Sequence, residues 1–270
     1  MQTANYPETE NGEVILSPES LLLKDLREAA RTMGPAEARY LVDLYYQLQD
    51  YRTETGNQRR ISLDTGEPSL FLLWAHKQFA GMERQIPPAL RVYAEQQPVG
   101  EWSLGICGIG PVLSAGLLAN IDIEKAPTVG HIWRFAGLDP TQSWGKGEKR
   151  PWNARLKVIC WKIGESFVKV QANPRDVYGQ VYALRKLLEI SRNEQGLFAD
   201  QAAAVLAAKK IGKDTEAYKA YSVGRLPKDH IHSRAKRYAV KLFLAHWHEI
   251  AFTTHYGTEP PLPYPIAHLG

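Results

Sequence analysis

The stretch 106-ICGIGPVLSAGLLANI-121 decides how the chain is read. Gly108-Ile109-Gly110 follows an apolar residue and precedes a run of small and apolar residues, which Pro111 opens as a favoured first-turn residue. Glycine tolerates positive φ and leaves backbone N–H groups uncovered. The segment therefore predicts a tight hairpin feeding a helix, with bare amides beside a positive helix end that suits an anion. Ile106, Gly108, Ile109, Gly110, Pro111 and Ser114 carry this pattern. The other reading of the same glycines is a plain turn between two packed helices.

Upstream of the hairpin the pattern is helical. Ser17-Pro18 caps and starts a helix that runs to Met33, and Gly34-Pro35 breaks it. A second helix spans Ala36 to about Tyr51, with Tyr40, Leu41, Leu44, Tyr45 and Leu48 at helical spacing. The polar, turn-rich stretch 52-RTETGNQRRISLDTGEP-68 predicts a connecting loop. A third helix starts at Pro68, with Leu70, Leu73, Trp74 and Phe79 on its apolar stripe. Both stripes read as packing faces, so 17–100 is expected to form a helical arm or bundle behind a polar leader, 1–16. Its helices offer a surface for a protein partner.

Downstream, 130-GHIWRFAGLDP-140 predicts a short helix ended by Pro140, and 141-TQSWGKGEKRPWN-153 a loop. Pro151 is expected to begin an amphipathic helix with Leu156, Ile159, Ile163 and Phe167 on one face. Residues 101–194 form the domain holding the hairpin and this loop. Residues 195–229 read as an Ala-rich helical insertion. The last helix is expected after Ser233, to about Thr254, within a basic segment 230–256, before a Pro-rich tail, 257–270. Alternating strand patterns are scarce and no repeat is visible, so the expected class is all-α.

The 270 residues are 44% hydrophobic, enough for a sizeable core. No apolar run of about 18 residues predicts a membrane span, and the N-terminus does not resemble a signal peptide. Cys107 and Cys160 give neither a disulfide framework nor a four-ligand zinc site. A cytoplasmic protein without a membrane partner is expected. The net charge of +4 is unevenly spread: residues 1–90 carry 9 basic and 13 acidic side chains, the remainder 24 and 16. That asymmetry suggests a polyanion as partner of the C-terminal two-thirds.

Between Gln142 and Lys162 the cations are Lys146, Lys149, Arg150, Arg155, Lys157 and Lys162, against the single acid Glu148. Trp144 and Trp152 are interleaved with them. Cations neutralise phosphates, and exposed aromatics stack on unpaired bases; core anchoring is the other role open to the tryptophans. In the last helix Arg234, Arg237 and Lys241 fall at i, i+3 and i+7, a stripe that fits a nucleic-acid backbone. His230 and His232, placed before that helix, are the candidate metal pair; His246 and His248 lie within it and diverge.

The segment 108-GIGPVLSAGLLANIDIEKAPTVGHIWRFAGLDP-140 and the Gly/Lys-rich loop after it resemble the C-terminal half of the RNA-guided insertion-sequence transposases. That family joins a RuvC-like domain bearing four carboxylates to a helical domain through a coiled-coil arm. The resemblance covers about Leu70 to Val170 and implies a helix-hairpin-helix whose amides hold a DNA backbone phosphate. It also implies a nucleophilic serine after the Gly-Leu-x-Pro turn, at Ser143. The first 90 residues depart from the family, reading as helical without strand-borne carboxylates. Helix-hairpin-helix glycosylases place a catalytic Asp where this chain has Val129 and Gly130, which argues against base excision.

The function expected from the sequence is binding of a nucleic-acid backbone, DNA first and structured RNA second, in a mobile element or phage. The contacts expected are Gly108, Ile109, Gly110, Lys146, Lys149, Arg150, Arg155, Lys157, Arg234, Arg237 and Lys241. The alternatives are a reduced transposase, recombinase or nuclease using Ser143 or a histidine-bound metal, and a structural component of a nucleoprotein assembly. No cofactor is called for by the leading reading; an enzyme would call for Mg²⁺.

Overall fold

The computed structural model describes residues 25–262, which are all-α, with no strand among them. The leader 1–16, the helix start at Ser17-Pro18 and the tail beyond residue 262 lie outside the described residues. The chain forms two compact units, here residues 25–100 with 110–119, and 101–109 with 120–262. The boundary inside the glycine hairpin falls after Ile109.

The first unit holds α1 (Asp25–Arg31), α2 (Pro35–Thr65) and α3 (Leu70–Glu95), the start of α4 (Pro98–Leu104) and nearly all of α5 (Pro111–Asn120). The break at Gly34-Pro35 is where expected, and Glu37 Oε2 accepts the Gly34 N–H at 2.8 Å. The loop expected at 52–68 is instead helix as far as Thr65. Its polar residues find partners in the helix and across it. The Thr55 hydroxyl donates to the Tyr51 carbonyl at 2.8 Å and lies 3.1 Å from His76 Nδ1, the Ser62 hydroxyl donates to the Gln58 carbonyl at 2.9 Å, and Arg52 pairs with Glu83 on α3. Tertiary pairing overrides the turn-like composition.

The apolar stripe of α3 also differs from expectation. Leu70, Leu73 and Trp74 are exposed, Leu70 by 85%, whereas Ala75, Ile86, Ala89, Leu90, Tyr93 and Ala94 are buried. Phe79 does pack, 5.3 Å from the Tyr51 ring. On α2, Val42 and Leu48 are buried but Tyr40 is exposed. An antiparallel helix pair has one mutual face, and apolar side chains off it meet solvent. In α5, Val112 through Ala119 are buried without interruption, as suits a helix apolar all round. Ser114 donates to the Gly100 carbonyl at 3.2 Å, and Arg39 caps the Ala119 carbonyl.

In the second unit α6 (Val129–Phe135), α7 (Ala154–Val170) and α8 (Tyr178–Glu194) precede the short α9 (Ala199–Ala208) and α10 (Glu216–Ser222), and α11 (Lys228–Tyr256) packs against α6, α7 and α8. Leu156, Ile159, Ile163 and Phe167 are buried as expected. Phe167 stacks on Tyr178 at 5.0 Å, and Phe243 of α11 lies 5.7 Å from Trp102. Phe198, Ala202, Tyr221, Leu226 and Ile231 form a small core for the Ala-rich segment.

Three helix ends move from their expected places. α6 ends through Gly137 (φ +66°), with the Leu138 N–H on the Trp133 carbonyl at 2.8 Å, so a left-handed glycine stops it before Pro140. α7 starts after Asn153, whose side chain accepts the Leu156 N–H at 3.0 Å, and not at Pro151. α11 begins at Lys228, after an extended Pro227, instead of after Ser233. Burial of Ile231 in the small core anchors those added turns.

Candidate nucleic-acid interface

The hairpin glycines play different parts. Gly108 has φ +89°, and its carbonyl accepts the Ser166 hydroxyl at 2.5 Å. A Cβ there would lie 3.0 Å from Ser166 Oγ and 3.1 Å from Val170 Cγ2, so backbone sign and close approach to α7 both demand glycine. Ile109 is buried, and its N–H is spent on the Ile106 carbonyl at 3.0 Å. Gly110 lacks positive φ, has open space at its Cβ, and its carbonyl accepts the N–H groups of Leu113 and Ser114. Of the three amides expected to face an anion, that of Ile109 is turned inward.

The basic loop is organised by its own acid and tryptophans. The Trp144 indole donates to the Glu148 carbonyl at 2.7 Å, and the Glu148 carboxylate accepts the Gly145 N–H at 2.8 Å. Arg150 lies 5.0 Å from the Trp144 ring, Trp144 meets Trp152 edge-on at 6.2 Å, and Lys157 sits 3.9 Å from the Trp152 ring. The four side chains thus form a ladder, Arg150, Trp144, Trp152, Lys157, with the two indoles in the middle and a cation against each. Trp152 also covers Gly137, where a Cβ would lie 2.9 Å from the indole. Lys146 and Lys149 are exposed in the same loop, and Arg155 is exposed on α7.

From this ladder a groove runs between α7 and α11. Gly137, Leu138, Lys157, Trp161, Ser233 and Arg237 line it, with Lys236 beside them, around a cavity of about 230 Å³. The Lys157 ammonium is held below its usual range by burial and by the nearby Arg150 and Arg237 charges, with no carboxylate acting on it. Like charges held close in this way call for an anion from outside. Lys236 differs, because it is paired with Glu165. Lys241 lies 4.2 Å from the Trp133 ring; burial lowers its pKa, and Asp139 acts the other way.

Of the expected stripe on α11, Arg237 and Lys241 join this cationic region, while Arg234 is engaged inside the fold. Its guanidinium reaches the buried Glu189 at 2.8 Å and Gln201 at 3.0 Å, and lies 4.5 Å from the Phe198 ring. Ser143 is exposed in the basic loop.

The histidines are fixed by separate partners. His230 and His232 lie within α11, not before it, because the helix starts early. His230 bonds the Tyr221 hydroxyl at 3.2 Å and His232 the Tyr182 hydroxyl at 2.7 Å. His246 bonds Tyr178 at 2.7 Å, and the buried His248 bonds the Ala126 carbonyl at 2.7 Å. Among the described residues no group of three or more His, Cys, Asp or Glu is placed to hold a metal.

Sequence reasoning missed Trp161, which is 58% exposed. The signal was present: Trp161 is four residues beyond Lys157 and off the Leu156–Ile159–Ile163–Phe167 face, so it shares the cationic side of α7. Fold and groove together define an all-α protein whose second unit holds a groove lined by two cations, Lys157 and Arg237, without a paired carboxylate among the described residues. No family model matches the chain, and no curated protein or solved structure matches it.

Proposed function

We propose that this protein binds the backbone of nucleic acid along the cationic ladder and groove of its second unit. The observation that carries the reading is that Lys157 and Arg237 line one groove, with Arg150 at the near end of the ladder and no carboxylate paired with any of the three among the described residues. Desolvation first, and then the Arg150 and Arg237 charges, lower the Lys157 pKa. A phosphodiester chain supplies the missing charge at a spacing that a row of cations follows, and counterion release drives the association. Lys146, Lys149 and Arg155 extend the row across the exposed loop and the start of α7, and Lys241 extends it along α11. Phosphate contacts position the protein without reading bases. DNA is the first ligand in this reading, and a mobile-element or phage setting rests on the resemblance of 108–140 to the transposase C-terminal half.

Mobility shifts of labelled duplex, branched and single-stranded DNA and of structured RNA, at two salt concentrations, test the proposal. Binding is expected to weaken steeply with salt, and Lys157→Ala with Arg237→Ala to lessen the log–log salt slope by about 2, one for each phosphate that no longer meets a cation. Binding that ignores salt, or no binding, overturns it.

A further inference from the structure

We infer that the groove between α7 and α11 takes one unpaired nucleotide of a nucleic-acid strand, with its phosphate on Lys157 and Arg237 and its base stacked on the exposed ring of Trp161. This rests on the backbone-binding reading and adds to it a preference for single-stranded substrate.

Three observations carry it. The first is Trp161 itself. Trp102, Trp144 and Trp152 each pair with another aromatic ring of the fold, whereas no ring stacks on Trp161 among the described residues. The nearest charge over its face is Lys236, 5.9 Å from the centroid and already tied to Glu165. A large flat apolar surface is therefore left open next to cations that carry no internal counter-charge.

The second is size. A cavity of about 230 Å³ lies below the roughly 300–1,000 Å³ of sites that enclose a whole small molecule. It suits a single unit of a longer chain, the rest of which runs over the exposed loop cations. A duplex keeps its bases stacked on one another and presents only their edges, so none reaches the Trp161 ring without leaving the stack.

The third is chemistry at the floor and rim. Ser233, Gly137 and Leu138 line the groove beside the ring. The Gly137 and Leu138 N–H groups are taken by the Arg134 and Trp133 carbonyls, so it is the Ser233 hydroxyl, able both to donate and to accept, that offers a base edge its partner. The left-handed Gly137, pressed beneath Trp152, keeps this wall free of a side chain. A cationic track along the backbone and an aromatic platform for the base are the two parts that single-strand binding needs. DNA and RNA share this chemistry.

The experiment is a set of anisotropy titrations at one salt concentration, with labelled single-stranded DNA, single-stranded RNA and duplex DNA of equal length. The proteins are the full chain, Trp161→Ala and Trp161→Phe, each checked by thermal melting. Tighter binding of single strands than of duplex is expected. Trp161→Ala is expected to weaken single-strand binding about tenfold and duplex binding by clearly less, and Trp161→Phe to keep most of the affinity. The more strongly affected of the two single strands identifies the preferred sugar. Duplex binding with single-strand affinity unmoved by Trp161→Ala, or an equal loss for both, overturns this inference and leaves backbone binding standing. No binding of any strand overturns both.

Discussion

The Lys157 ammonium rests 3.9 Å from the centroid of the Trp152 ring, and desolvation, with the charges of Arg150 and Arg237 second, presses its pKa down. The indole quadrupole offsets part of the repulsion, and an incoming anion offsets more. Inorganic phosphate or heparin is therefore expected to raise the melting temperature of the wild type more than that of Lys157→Met, since a ligand bound only to the folded state stabilises by mass action. Scanning calorimetry with and without the anion checks this. Equal gains in the two proteins would remove Lys157 from the site.

Gly108 and Gly110 separate what the hairpin needs to fold from what it offers to a ligand. Gly108→Ala puts a side chain at φ +89° against Ser166 and Val170, and is expected to cost about 1–3 kcal/mol. Gly110→Ala meets open space at ordinary φ and is expected to change stability by less than about 0.5 kcal/mol. Urea denaturation of the two variants measures the difference. Only Gly110→Ala then serves as a clean probe of nucleic-acid binding at the hairpin, because loss of binding in a strained Gly108 variant follows from either cause.

Glu189 is fully buried between Arg185 at 2.5 Å and Arg234 at 2.8 Å. Burial works to raise its pKa, but the hydrogen bond and charge of Arg234, with help from Arg185, outweigh it, so the net shift is downward from 4.5. The folded state therefore holds the carboxylate more strongly than the unfolded chain does. Its stabilisation is present above pH 4.5 and is lost as pH falls through the folded value. Glu189→Gln leaves two arginines short of their counter-charge and is expected to cost about 3 kcal/mol at neutral pH. Below pH 4.5 the gap between variant and wild type should narrow. A constant gap from pH 7 to pH 3 would show that the carboxylate charge is not what matters there.

The all-α class was legible because helical periodicity dominates the chain, and the buried face of α7 could be read directly from Leu156, Ile159, Ile163 and Phe167. Residues 52–65 were not legible. Their glycine, threonines and arginines look like a loop until His76 and Glu83 of α3 supply partners from 21 and 31 positions away. Trp74 and Leu70 misled in the opposite sense, since an apolar stripe tells which face could be buried and not whether anything covers it. In the candidate site the cations were readable by composition, but their sorting was not. Arg234 pairs inward because α8 brings Glu189 to it, and Arg237, one turn on, shares the groove with Lys157 instead. The groove exists only because α7 and α11, some 70 residues apart in the chain, lie side by side.

The α11 histidines make the fold acid-sensitive in a window separate from that of Glu189. Burial first, and nearby cations second, lower the pKa values of His230 and His232 below 6.5. For His248 burial also dominates, and its bond to the Ala126 carbonyl opposes the shift without reversing it. An unfolded chain takes up protons at these imidazoles before the folded one does. Stability is thus complete above about pH 6.5 and declines as pH falls towards the folded values, by at most about 1.4 kcal/mol per pH unit for each histidine. In His248→Gln the amide can still donate to the Ala126 carbonyl but carries no titrating proton. This variant is expected to be somewhat less stable at pH 7.5, because the ring's packing against Phe252 at 5.5 Å is lost, and to show a shallower decline between pH 6.5 and 5. Urea denaturation at pH 7.5, 6.5, 5.75 and 5 gives both quantities. Parallel declines for variant and wild type would assign the acid sensitivity to His230 and His232, whose bonds to Tyr221 and Tyr182 fasten α11 to α10 and α8.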